Sequence, residues 1–264
     1  MKATEIIEYL KEGAYPVSEN TCDTVKNGDP QKEVCRVAVT MVPTSDTLKA
    51  VRDWGADMLI VHEPLYYDHM DAVSDTPSPV VAAKKAIVEE SGLVIFRYHD
   101  YMHRRKVDMI DAGELYYLGL TGTTQRDEAT GTDIFTCDTP LTAVELARLF
   151  EERLGVKHVR IAGERNVKST RFAPMFGAPS SRADLFACQD IEILIAGELC
   201  EWKFAEYARD AAALGMNKSA IVVGHVGGER DGMRYLYEKM KKDFASLEIK
   251  YFETEEVFTY TEEN

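Results

Sequence analysis

The chain has 264 residues, 45% apolar and 29% charged, which excludes general disorder and suffices for one large α/β domain or two fused halves. Lys+Arg 31 against Asp+Glu 45 leave a net charge of −14, so nonspecific attraction to nucleic acid or an anionic membrane is disfavoured. No apolar run approaches the roughly 18 residues of a membrane helix.

The opening MKATEIIEYLKEG reads as an amphipathic helix carrying acids, not as a secretory signal. Strands are expected at 33–42, 57–63, 93–99, 133–138, 158–164, 191–198, 219–225 and 247–254, where short runs are rich in β-branched residues. Between them SDTLKAVRDWG, PSPVVAAKKAIVEESG, LTAVELARLFEERLG, CEWKFAEYARDAAALG and ERDGMRYLYEKMKKDFA have helical periodicity, with Ser or Thr near several starts and Gly after several ends. Alternation of this kind predicts α/β layers with largely parallel pairing. The polar stretch TGTTQRDEATGT (121–132) reads as a loop or linker, FGAPSSRAD (176–184) as a second loop, and the acidic tail as partly frayed. The expected division is a first half, 1–125, and a second, 126–264.

A weak internal repeat supports two similar halves. DMLIVHEPLYY (57–67) matches IEILIAGELCEW (191–202): a buried strand, a turn carrying Glu63 or Glu198, then aromatics. Each is followed by a helix and a strand ending in histidine, in FRYHDYMH (96–103) and VVGHVGGE (222–229). His99 and His103 form one i,i+4 pair, and His225 and Glu229 the other. Two such halves with their strand ends facing would gather these groups in one cleft.

Of six histidines, His62, His99, His103 and His225 sit at or just beyond the ends of expected buried strands, where ligands bind in open α/β sheets. Adding Glu63 and Glu229 gives four imidazoles and two carboxylates. That set suits two borderline divalent ions such as zinc, iron, manganese or nickel, with open positions for water. A lone strand-end histidine is more often structural, but four at matched exits favour metal. His69 and His158 lack such company and read as surface or packing residues. Cys22, Cys35, Cys137, Cys188 and Cys200 are an odd number with no C-x-x-C spacing, so reduced thiols in a cytoplasmic protein are expected. Cys200 near Glu198 reads as an inert packing thiol in preference to a ligand or nucleophile.

The sequence resembles the NIF-three-like dinuclear metal-centre family, also labelled GTP cyclohydrolase type-two-like. The motifs that carry the resemblance are GADMLIVHEPLYY (55–67), YHDYMHRRKVD (98–108) and VGHVGGERDG (224–232), with CDTVKNGDP (22–30) and GELYYLGL (113–120) in support. The match runs from near residue 3 to 254 and leaves no room for the inserted domain of some members. It implies metal-ligand positions at His62, Glu63, His99, His103, His225 and Glu229. It also implies α/β halves packed around a dinuclear metal cleft, two divalent ions per subunit, and a ring-shaped homohexamer. Two positions depart from the pattern. Glu63 stands where the family has a second histidine, and His103 where it has an aspartate. The exchanges are reciprocal and preserve ligand count and formal charge, which reads as a retuned site. A degenerate site, or Asp100 reaching in for His103, are the alternatives.

Arg97 precedes His99, and Arg104-Arg105-Lys106 follows His103, so these four are the expected anion-binding residues; solvated loop charges are the other reading. The first functional expectation is a metal-dependent hydrolase of a phosphorylated or nucleotide-like small molecule, with Glu63 as general base if it is not a ligand. The second is a metal-binding or delivery protein without turnover, and the third a regulatory protein with a structural metal site.

Overall fold

The computed structural model describes residues 1–127, 132–179 and 191–261, which fall into two compact units. Unit one comprises Met1–Met109 and Met233–Thr254; unit two comprises Ile110–Gly232 and Glu255–Asn264. Part of each expected loop, 121–132 and 176–184, and residues 262–264 of the tail lie outside the described residues.

The first unit is built on a five-stranded sheet in the order β1 (Val25–Asn27), β4 (Val94–Arg97), β3 (Met58–Val61), β2 (Arg36–Thr40) and β11 (Glu248–Tyr251). β4, β3, β2 and β11 run parallel; the short edge strand β1 is antiparallel to β4. MLIV in β3 and VIFR in β4 are buried at every position, as expected of strands covered on both faces. Residues 233–254 group with this unit because β11 adds in register to β2, Ile249 opposite Val37.

The crossovers carry their own punctuation. α1 spans Ala3–Lys11. α2 (Ser45–Trp54) starts where the Thr44 hydroxyl accepts from the Thr47 N–H at 3.1 Å, and ends on Gly55 at φ 80°. α3 (Pro79–Glu90) is capped by Ser78 and has proline at its first position. Leu48, Val51 and Val88 from these helices join Ala38, Leu59, Val61 and Ile95 of the sheet in one buried cluster.

The second unit holds a six-stranded mixed sheet: β5 (Gly122–Asp127), β6 (Thr132–Leu141), β8 (Ser169–Met175), β9 (Ile193–Ala196), β10 (Ser219–Val222) and β7 (Arg160–Gly163), in that order. Parallel pairing is confined to β8, β9 and β10; β5, β6 and β7 pair antiparallel. The expected linker therefore contains a strand. β5 pairs with β6 from Gly122 opposite Cys137 to Asp127 opposite Thr132, and its side chains are exposed or half-buried. An edge strand of Thr, Gln, Arg and Asp has no apolar alternation to betray it.

α5 (Met109–Tyr117) and α6 (Ala143–Leu154) precede β7; α6 carries a Thr142/Glu145 capping box and stops at Gly155. A π-helical turn, Glu201–Ala205, leads into α7 (Glu206–Ala213), whose Ala208 packs with Phe204, Leu194 and Ala220. α8 (His225–Asp243) begins four residues earlier than its periodicity suggests, with His225 as its first residue.

The repeat has a topological counterpart. β3, α3 and β4 form one strand–helix–strand unit with parallel pairing; β9, the Glu201–Ala213 helical segment and β10 form another. No described helix is long and apolar enough to cross a membrane.

Candidate metal centre

In the first unit, His62 follows β3 directly and is fully buried. Its backbone is pinned to the residue after β2, because the N–H groups of His62 and Glu63 both donate to the Met41 carbonyl, at 3.1 and 3.0 Å. His99 follows the adjacent strand β4, and the chain then makes one helical turn, α4 (Asp100–His103). A buried carboxylate fixes that turn. Asp23 accepts from the backbone N–H groups of His99, Asp100 and Tyr101, each at 2.9 Å, satisfying orphan donors at a helix start. The turn places His103 over His99.

These three imidazoles meet. Ring centroids lie 4.6 Å apart for His62 and His99, 4.7 Å for His99 and His103, and 5.1 Å for His62 and His103. Each ring holds its Nδ1 against an oxygen: the Tyr98 carbonyl for His62 (3.1 Å), the Asp100 carboxylate for His99 (2.9 Å) and the Asp108 carboxylate for His103 (2.7 Å). Carbonyls and carboxylates accept only, so each contact is a hydrogen bond donated by Nδ1. This is the orientation that metal-bound histidines take from their outer partners. Burial, then the neighbouring His99 and His103, hold the His62 pKa well below the ordinary imidazole value, which favours the neutral ring a metal requires. The three form a group able to hold a metal ion, their ligand atoms within 4.8 Å of one another. The half-buried Glu63 offers a carboxylate oxygen within 4.8 Å of an imidazole nitrogen of His62.

Asp100 turns elsewhere. Its Oδ2 accepts from the Thr21 hydroxyl at 2.7 Å and the Cys22 N–H at 3.3 Å. Its pKa is lowered strongly, first by the His99 hydrogen bond. His69, set aside in the sequence as a surface or packing residue, is exposed but lies 5.2 Å from the His99 ring centroid. Cys22, His69, His99 and Asp100 form a further group with ligand atoms within 4.8 Å of one another. The sequence reading gave Asp23 and Asp108 no role of their own and set Cys22 and His69 aside, since each lies outside the strand-end pattern. The available signal was position: Asp108 closes the YHDYMHRRKVD motif, and Cys22 and Asp23 open CDTVKNGDP.

The basic residues have protein acceptors. Arg97 is 1% exposed; its Nε donates to the His62 carbonyl at 2.9 Å and its Nη1 to the His69 carbonyl. Arg105 donates to the Tyr98 hydroxyl at 3.0 Å and the Leu10 carbonyl at 2.6 Å, and Arg104 to the Pro16 carbonyl at 3.3 Å. Lys106 is exposed.

In the second unit, His225 opens α8 just beyond β10. Its Nδ1 lies 2.7 Å from Glu198 Oε1 and its Nε2 3.0 Å from Glu229 Oε2. Glu198 is exposed, whereas Glu229 is 3% exposed. Two carboxylates on the two nitrogens of one imidazole are satisfied by a doubly protonated ring or by a cation. Glycines make the room: a Cβ on Gly177, which sits at φ 93°, would overlap the Glu229 carboxylate, and one on Gly197 would press the Gly177 backbone and the His225 Cα. Glu198 thus joins His225 and Glu229, a pairing that the repeat hinted at and the ligand list lacked. His158 stacks on Tyr260, centroids 3.9 Å apart, in keeping with a packing role.

A family model described as Duf34/NIF3 (NGG1p interacting factor 3) matches residues 1–257. A Clostridium perfringens (strain 13 / Type A) protein called "GTP cyclohydrolase 1 type 2 homolog" is 21% identical over 257 residues, covering 93% of this chain and 94% of that one. Among solved structures, protein ybgI, of unknown function, superposes with a TM-score of 0.77 at 19% identity, covering 97% of this chain and 99% of that chain. A Bacillus cereus protein related to NIF3 gives 0.75 at 14% identity and 99% of both chains. Reduced HcgD from Methanocaldococcus jannaschii gives 0.73 at 17% identity, over 95% and 97%. At these identities the structures establish the fold.

Proposed function

The chain belongs to the Duf34/NIF3 family, and from that membership we propose that it is a divalent-metal-binding protein. The observation that carries this reading is the clustering of His62, His99 and His103, each with Nδ1 on an oxygen acceptor. Three clustered imidazoles with ligand atoms within 4.8 Å of one another, beside a carboxylate, fit zinc, iron, manganese or nickel.

The finer reading is two divalent ions per chain, held by His62, Glu63, His99, His103, His225 and Glu229. The grouping of His103 with His62 and His99, and the engagement of Asp100 by Thr21 and Cys22, support the retuned site over the substitution of Asp100 for His103. Bound ions would supply Lewis acidity and a water ionisable near neutral pH. On this chain, Tyr98, Asp100 and Asp108 orient the imidazoles, and Glu63 takes a proton at its carboxylate where it is not a ligand. The name of the Clostridium relative supports hydrolysis of a nucleotide-like or otherwise phosphorylated small molecule.

A second reading, metal holding or delivery without turnover, is favoured by one observation. Arg97, Arg104 and Arg105, expected to grip an anion, donate instead to carbonyls and to the Tyr98 hydroxyl. The phosphate grip is correspondingly weaker. Assembly as a homohexamer rests on the family resemblance, and solution mass by light scattering checks it.

Metal analysis of reconstituted protein, joined to a screen of phosphoesters, nucleotides and cyclic amides, tests the proposal. Close to two ions per chain are expected, with strong losses in His225→Ala and Glu229→Ala. Less than about half an ion per chain overturns it.

A further inference from the structure

The second donor group in the first unit differs chemically from the first. Cys22 contributes sulfur, His69 and His99 imidazole nitrogen, and Asp100 a carboxylate oxygen, all within 4.8 Å of one another. Four donors of these types are the number and kind that a tetrahedral zinc or iron(II) site takes.

The group is held from several sides. Cys22 is fully buried, and its N–H donates to Asp100 Oδ2 at 3.3 Å. Thr21 Oγ1 donates to the same oxygen at 2.7 Å, as an outer partner does for a ligating carboxylate. Asp23 fixes the backbone of His99 and Asp100, and Arg97 holds the carbonyl of His69. Metal bonds of about 2.0–2.3 Å place tetrahedral ligand atoms about 3.3–3.8 Å apart, so no pair in the group has to close by more than about 1.5 Å. The His69 ring is exposed, lies on a loop and already stands edge-on to the His99 ring, centroids 5.2 Å apart.

We propose that Cys22, His69, His99 and Asp100 form a thiolate-containing site for a borderline divalent cation, zinc or iron(II). It goes beyond the proposed function, sharing His99 with it and taking as a ligand the Asp100 that there orients His99. On binding, the Sγ–metal bond forms as the thiol proton leaves to solvent; no oxidant or reductant is required. A sulfur ligand also selects against magnesium and calcium, which prefer all-oxygen sets.

Cobalt(II) titration of the full-length protein tests the site, because a thiolate ligand produces a near-ultraviolet charge-transfer band that imidazole and carboxylate do not. The band is expected in the wild type and in His62→Ala and His103→Ala, and is expected to vanish in Cys22→Ser. His69→Ala should weaken cobalt binding, followed by the band, at least about tenfold. No band in the wild type, or a band that survives Cys22→Ser, overturns the proposal. If Cys22→Ser fails to fold, an unchanged band in His69→Ala, which alters an exposed side chain, overturns it. Loss of metal in His103→Ala without any thiolate band would leave the proposed function standing and remove this site alone.

Discussion

Nδ1 of His103 lies 2.7 Å from Oδ2 of Asp108, and the Asp108 side chain is almost wholly withdrawn from solvent. The carboxylate holds the ring's rotation, with the imidazole beside those of His62 and His99. His103 stands where related sequences are expected to carry aspartate, and the structure supplies a carboxylate one step further out.

Asp108→Asn keeps the shape but turns an acceptor-only group into one that can also present N–H to Nδ1. Divalent-metal affinity should fall about 10–100-fold with the fold retained, as outer-partner losses do. Competition with a chelator, alongside circular dichroism, measures this. Unchanged affinity would mean that His103 is not a ligand.

Asp23→Ala tests what holds the turn in place. Three backbone N–H groups would lose a charged acceptor at once, at positions where water has limited access. Destabilisation of about 2–4 kcal/mol is expected from hydrogen bonds of this kind. Urea melts should show a lower midpoint at unchanged m value. A shift below about 0.5 kcal/mol would indicate that solvent replaces the carboxylate.

Particular residues mark how far the sequence could be read. β3, β4, β9 and β10 are doubly covered strands, so their apolar runs announced both the strands and the histidine-bearing exits at His62, His99 and His225. β5 has no such signature. β1 is three half-buried residues, and β8 reads RFAPM with a proline inside it. Residue spacing within a helix predicted the contact of His99 with His103, because i and i+4 share a face. It could not predict that Asp23, far back along the chain, caps that turn, or that His69 folds toward His99. Both depend on loop paths that no local period encodes. Nor could spacing show that Arg97, on a strand buried on both faces, is itself buried, with its Nε and Nη1 donating to the His62 and His69 carbonyls.

Gly177→Ala probes the second unit. Alanine at φ 93° is strained by itself, at a cost on the order of 1–3 kcal/mol, and its Cβ would also displace the Glu229 carboxylate. Gly215→Ala is the control: φ is 77°, but a Cβ meets nothing within 4 Å. Both variants should lose stability, and only Gly177→Ala should lose metal. Equal metal content in the two would remove Glu229 from the ligand set.

Glu114 gives a pH dependence whose sign can be worked out. The side chain is fully buried in the second unit, and its Oε1 accepts from the N–H groups of Asp231 and Gly232 at 3.0 and 3.3 Å. Burial, and next the Asp231 carboxylate, raise its pKa well above the ordinary value, outweighing the two N–H groups. The folded protein therefore binds this proton more tightly than the unfolded chain, where glutamate titrates near about 4.3. The associated stability is fully present below that pH and is lost as pH rises through the folded-state pKa. Glu114→Gln keeps an acceptor for both N–H groups and never ionises. Thermal midpoints of metal-free wild type and variant should be similar near pH 4 and diverge upward from there, with the glutamine protein the more stable on the alkaline side. Parallel curves across that range would show that Glu114 is charged in the folded protein and that its carboxylate has solvation the buried position does not suggest.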